Sequence, residues 1–223
     1  MTETNRLEAF SDGVMAIAIT LLVLDLSVPA RSQLGRNETL RHALAQMWPN
    51  YAAYVVSFLI IGIIWMNHHS LFRMIARVDR LTLFLNLLLL MVVSAIPFPT
   101  RLLAEYLTAG GPDSHLAAAV YSGTMLAMSL AFGALFVSAT RRPDLLRPTV
   151  DHAVVRASIP RFTGGGAVYA LTVVLAFISA PVTLLAHFGL AVYYLFDHTG
   201  SDSSDSADSS DPASTPPPEL TVQ

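Results

Sequence analysis

The residues able to do chemistry in this chain are a handful of polar side chains set in or beside long apolar runs. Arg6, Phe10, Ser11 and Asp12 open the first run, which continues through Thr20 to Asp25. Trp65-Met66-Asn67-His68-His69 lies late in the second run, and Asn86 lies early in the third. Ionisable groups in such surroundings are costly and by default mark cation pathways, proton relays or interhelical pairing. Catalysis is a poor fit. Adjacent His68 and His69 do not share a helix face, no His/Asp set has metal spacing, and no nucleophile has a nearby base. Neither an enzyme, a resident metal nor an organic cofactor is expected.

The elements that must position these groups follow from composition. The 223 residues are 53% hydrophobic and 13% charged, against about 25% charged in soluble domains, as expected for a chain dissolved largely in lipid. There is no Cys, so disulfides and Cys-ligated metals are excluded. Crossing a hydrocarbon core of about 30 Å takes roughly 20 apolar residues. Spans are therefore predicted at Leu7–Val28, Pro49–Phe72, Leu81–Leu102 and His115–Ala139, with Pro97 and Pro99 ending or kinking the third. A polar loop is expected at Arg31–Arg41, and a turn at Gly110-Gly111-Pro112-Asp113. The last apolar region, Gly164–Phe196, is too long for one crossing, and Ser179-Ala180-Pro181 divides it into two short spans. The fold class is thus all-α and polytopic, with six membrane helices in residues 1–200. Residues 201–223, rich in Ser, Asp and Pro, are expected to be a disordered acidic cytoplasmic tail. The N-terminal run lacks a small-residue cleavage site and reads as a retained first span.

All 13 basic residues are Arg. With the N-terminus inside, nine fall on cytoplasmic segments (Arg6, Arg73, Arg77, Arg80, Arg141, Arg142, Arg147, Arg156 and Arg161). Four fall outside, Arg31, Arg36, Arg41 and Arg101. That bias predicts a multi-pass plasma-membrane protein with both termini cytoplasmic. Arginines placed at membrane flanks give no support to nucleic-acid binding.

On a helical wheel at about 100° per residue, Arg6, Phe10, Gly13, Ile17, Leu21 and Leu24 share a stripe about 80° wide, with Thr20 on its edge. Asp12 lies about 240° round from Arg6, so it must look for partners on neighbouring helices. A hydrogen-bonded cluster of Ser11, Asp12, His68 and Asn86 is expected near one membrane face, with His69 interfacial. Such a cluster serves a helix-packing clamp as readily as a functional site, and a clamp is able to orient a pore-lining helix.

Arg6-x-x-x-Phe10-Ser11-Asp12 at the start of the first span resembles the RxxxFSD signature of the transmembrane protein 175 family of potassium channels. The run Ala16 to Asp25 is similar to bacterial members, and Trp65, His68, Asn86 and Pro97 add matches. The resemblance covers residues 6 to about 100 well. It implies six-span subunits assembling as homotetramers, with the first helix lining a central pore. It places a hydrophobic constriction on Ile17, Leu21 and Leu24 and a potassium-preferring hydroxyl at Thr20, and no glycine-rich carbonyl filter is expected. Asp25 stands near the pore mouth, although its angle, about 100° off the stripe, suits an interfacial carboxylate too. The partners implied are potassium ions, further copies of the chain and the lipid bilayer. A different class, a proton-coupled secondary transporter with Asp12 and His68 as relay, stays open. Mid-span polar residues for substrate binding are few, chiefly Thr20, Ser57, Ser129 and Thr172.

Overall fold

The computed structural model describes residues 3–29 and 39–205, apart from the side chains of residues 3, 154, 161–163 and 197–205. The expected loop arginines Arg31 and Arg36, and the tail beyond Asp205, lie outside the described residues. Every regular element described is helical: α1 (Glu3–Leu21), α2 (Leu40–Gln46), α3 (Trp48–Met74), α4 (Arg80–Ala95), α5 (Pro97–Tyr106), α6 (Gly111–Thr140), α7 (His152–Ala176) and α8 (Ala180–Asp205). A 3-10 turn, Leu22–Asp25, extends α1. Five stretches are long and apolar enough to cross a membrane: Thr4–Asp25, Trp48–Met74, Arg80–Tyr106, Gly111–Thr140 and Val155–Ala176. Ala180–Phe196 is a shorter apolar helix that supplies the sixth candidate.

Boundaries follow local chemistry. Asp79 caps α4 by accepting from the Thr82 N–H at 2.8 Å, and Asp151 caps α7 through the Ala153 N–H at 2.8 Å. Pro97 has no N–H to continue α4, so the helix breaks at Ile96 and restarts as α5. Gly110 and Gly111 take φ of 71° and 69°, the left-handed region open to glycine, and turn the chain into α6. Four expected boundaries are corrected. The third span runs on to Tyr106 rather than Leu102, because the prolines bend the path without stopping helix formation. The expected loop Arg31–Arg41 ends in α2, for Thr39 accepts from the His42 N–H and starts a helix there. The fifth span begins as helix at His152, ahead of Gly164, and continues through Pro160. Helix α8 continues to Asp205, past the expected boundary at residue 200.

Loop contacts gather one set of helix ends. The Ala76 N–H donates to the Leu145 carbonyl at 2.8 Å, and the Arg147 N–H donates to the Met74 carbonyl at 2.9 Å. Thr4 Oγ1 donates to the Ala76 carbonyl at 3.2 Å, and Arg142 pairs with Asp79. The start of α1, the α3–α4 turn and the α6–α7 turn therefore share one end of the molecule. Arg73, Arg77, Arg80, Arg141, Arg142 and Arg147 sit on those segments, and Arg101 sits at the other end.

The core runs the length of the bundle and includes Met15, Leu22, Ile61, Leu89, Tyr121 and Leu135. At its centre Ser57 lies 2.8 Å from Thr100 Oγ1 and 3.0 Å from the Tyr121 hydroxyl, joining α3, α5 and α6. Helices α6 and α7 approach closely because Gly165 and Gly166 face Ser129 and Leu130. A Cβ on Gly165 would lie 3.2 Å from Ser129 Oγ, whereas one on Gly164 would meet nothing within 4 Å. Gly165→Val should therefore cost about 1–3 kcal/mol through overpacking. Gly164→Val should change little, and thermal melts of the two variants in detergent check the difference.

Candidate pore helix and its anchoring network

Helix α1 is divided into two faces. Thr4, Ser11, Met15, Ala18 and Leu22 are buried, at spacings of seven, four, three and four, so they form one stripe against α3 and α4. Phe10, Ile17, Leu21 and Leu24, about 120° round the helix from that stripe, are 54%, 60%, 41% and 73% exposed. Arg6, Gly13 and Thr20 are exposed with them. The wheel stripe read from sequence is thus the face that α1 leaves uncovered. The 3-10 turn preserves it at the end, because residues three apart eclipse in that geometry and Leu24 stands over Leu21.

The buried face is held by a directed chain of hydrogen bonds. His68 Nε2 donates to Asn86 Oδ1 at 2.8 Å, and Asn86 Nδ2 donates to Ser11 Oγ at 2.9 Å. The Ser11 hydroxyl then donates to the Leu7 carbonyl at 2.9 Å. Ser11, His68 and Asn86 are each fully buried, and the His68 ring stacks on Phe72 with centroids 4.3 Å apart. One asparagine thereby joins α1, α3 and α4.

Asp12 is not part of this chain, and the expected four-residue cluster is corrected accordingly. Its Oδ1 accepts from Trp65 Nε1 at 2.9 Å, a more exposed contact one turn of α3 away from His68. The angular offset between Ser11 and Asp12 is the reason: neighbouring residues point about 100° apart, so Ser11 reaches Asn86 of α4 while Asp12 reaches Trp65 of α3. His69, expected to be interfacial, is partly exposed and lies 2.9 Å from Glu8 Oε1. Glu8 was not singled out in sequence, although its place one turn before Asp12 on α1 puts it along the same edge.

Thr20 Oγ1 donates to the Ile17 carbonyl at 2.9 Å. With its proton committed to the helix, the hydroxyl presents acceptor lone pairs on the exposed face, the polarity a cation requires. Asp25 is half-buried beside Arg101, Glu105 and Asn50 in a polar cleft. Sequence reading named Asp25 but gave Arg101 only a topological role and missed Glu105. Among the described residues no group of three or more His, Cys, Asp or Glu is placed to hold a metal ion.

The family model for the endosomal/lysosomal potassium channel TMEM175 matches residues 6–97, the stretch carrying α1 and the whole Ser11–Asn86–His68 chain. A potassium channel of Streptomyces collinus is 56% identical over 207 residues, covering 93% of this chain and 98% of that relative. The chain belongs to the TMEM175 family. A second potassium channel, from Chamaesiphon minutus, is 42% identical over 193 residues, covering 86% of this chain and 94% of its own length. The crystal structure of a lysosomal potassium-selective channel TMEM175 homolog from Chamaesiphon minutus matches with a TM-score of 0.78 at 40% identity. It covers 88% of this chain and 98% of that one. Of the matched stretch, Ser11 lies in the buried chain with His68 and Asn86, Asp12 meets Trp65, and Arg6 and Phe10 are exposed.

The network sets a stability order. Asn86→Ala strands the buried His68 imidazole N–H and removes the donor to Ser11 Oγ, and should cost about 1–3 kcal/mol. Trp65→Phe frees only the partly exposed Asp12 and should cost under about 1 kcal/mol. Chemical denaturation of both variants in mixed micelles checks that order, and a larger loss for Trp65→Phe would contradict it.

Proposed function

We propose that this chain is a potassium-permeable cation channel in which four copies of α1 surround a central pore. The observation that carries the reading is the uncovered stripe of α1, set apart from a face pinned by buried hydrogen bonds. Its membership of TMEM175, whose relatives above are named potassium channels, gives the stripe its occupant. A fourfold arrangement places Ile17, Leu21 and Leu24 as stacked apolar rings, which resist wetting while narrow. Small outward movements of α1 admit a partly hydrated cation, and the Thr20 oxygens replace some of its water.

Selectivity on this reading owes nothing to a carbonyl cage, for the sequence has no TVGYG-like loop. The end bearing Arg73, Arg77, Arg80, Arg141, Arg142 and Arg147 faces the cytoplasm of a cell bounded by its plasma membrane. On this reading both termini share that side. The proton-relay alternative is disfavoured by geometry, since Asp12 bonds Trp65 while His68 bonds Asn86.

Two substitutions test the roles separately. Ile17→Asn adds a polar ring at the constriction and should raise single-channel conductance severalfold. An unchanged unitary current would remove Ile17 from the gate. Thr20→Ala deletes the acceptor oxygens and should move the potassium-to-sodium permeability ratio toward unity. An unaltered ratio in bi-ionic recordings takes Thr20 out of selectivity.

A further inference from the structure

At the end of the molecule where α1 leaves its span, a polar cleft of about 420 Å³ lies between the α1 exit, the start of α3 and α5. Its walls include Leu24, Asp25, Arg101, Glu105 and Thr108. Leu24 belongs to two surfaces at once, since it also ends the exposed stripe of α1. On the pore reading above, the cleft opens beside the axis on which the stripes of neighbouring copies converge.

The charges inside it are not consumed by one another. Arg101 and Glu105 are four residues apart on α5 and both exposed, yet they form no ion pair. Arginine preceding the acid is the weaker order for such a pair in a helix. Arg101 lies within electrostatic reach of Asp25 without pairing with it. Asp25 Oδ2 is buried and has no hydrogen-bond partner among the described residues. Among the described residues lining the cleft, two carboxylates against one guanidinium give each copy an excess of negative charge around a walled, polar volume. Low-dielectric walls focus such a field and raise the local concentration of counter-ions.

We propose that this cleft is the outer access chamber for the permeating cation, with Glu105 and Asp25 concentrating cations and Arg101 opposing them. Arg101 and Glu105 are then conductance-determining residues that stand off the pore helix. The inference rests on the pore reading above and adds to it a charge balance carried by α5.

The test is unitary current drawn from the Arg101 side of the reconstituted full chain, in Glu105→Gln and Arg101→Gln. Recordings are made in ~0.01 M and ~1 M potassium chloride, where the Debye length is about 30 Å and 3 Å. In the dilute salt Glu105→Gln should lower the current roughly twofold and Arg101→Gln should raise it by a similar factor. In the concentrated salt both variants should match the unmodified chain. Equal currents for all three proteins in dilute salt overturn the chamber and leave the pore reading intact. No potassium current from the unmodified chain overturns the pore reading itself. Should either variant fail to assemble, Thr108→Cys introduces the chain's one cysteine, which is modified after assembly. A cationic thiol reagent should then reduce the dilute-salt current and an anionic one increase it, and equal effects from both signs would overturn the proposal.

Discussion

Hydrocarbon offers a polar side chain no water, so each buried polar group on a membrane helix must be met by another helix. In this protein that requirement fixes the rotation of α1. Ser11 is met by Asn86, Asn86 is met by His68, and the three are wholly buried. An interhelical hydrogen bond in a bilayer averages only about 0.6 kcal/mol, so the chain matters less as a store of energy than as a register mark. Turning α1 by one residue would carry Ser11 about 100° away from Asn86 and leave the buried Asn86 amide N–H without its acceptor. Because the marked face must point inward to α3 and α4, the face of Ile17, Leu21 and Leu24 has to point away from the subunit.

The rest of the molecule reads as a frame for that orientation. Ala76, Leu145, Arg147 and Met74 tie the turns at one end through backbone hydrogen bonds, and Thr4 binds the start of α1 to the same knot. At mid-depth Ser57, Thr100 and Tyr121 join α3, α5 and α6. Gly165 and Gly166 let α7 close against α6. The helix meant to move under the proposed gating thus rests on a bundle tied at both its polar end and its middle. Its own free face is apolar save for Thr20, Gly13 and Arg6.

Much of this was legible in the sequence because lipid imposes simple rules. Apolar length located the spans, and proline and glycine located the breaks. The 3.6-residue period of α1 puts Ile17, Leu21 and Leu24 on one stripe and Asp12 off it. What was not legible concerns partners. Asp12 was expected with His68, but which side chain of α3 it meets depends on a rotation that no spacing encodes, and the partner is Trp65. The role of His187, buried against Tyr121 and Tyr169, was equally hidden. It looks like one more polar residue in an apolar run until α6, α7 and α8 are packed together. The polar cleft at Asp25 escaped because Arg101 and Glu105 lie more than seventy residues further along the chain.

The central claim is that the uncovered face of α1 lines a path for potassium. It is tested most directly by the reversal potential of purified protein in planar bilayers, with potassium on one side, sodium on the other and equal pH. The account predicts a steady current reversing toward the potassium equilibrium potential. A correctly assembled oligomer that passes no such current, but takes up solute only when a pH gradient is applied, would contradict it.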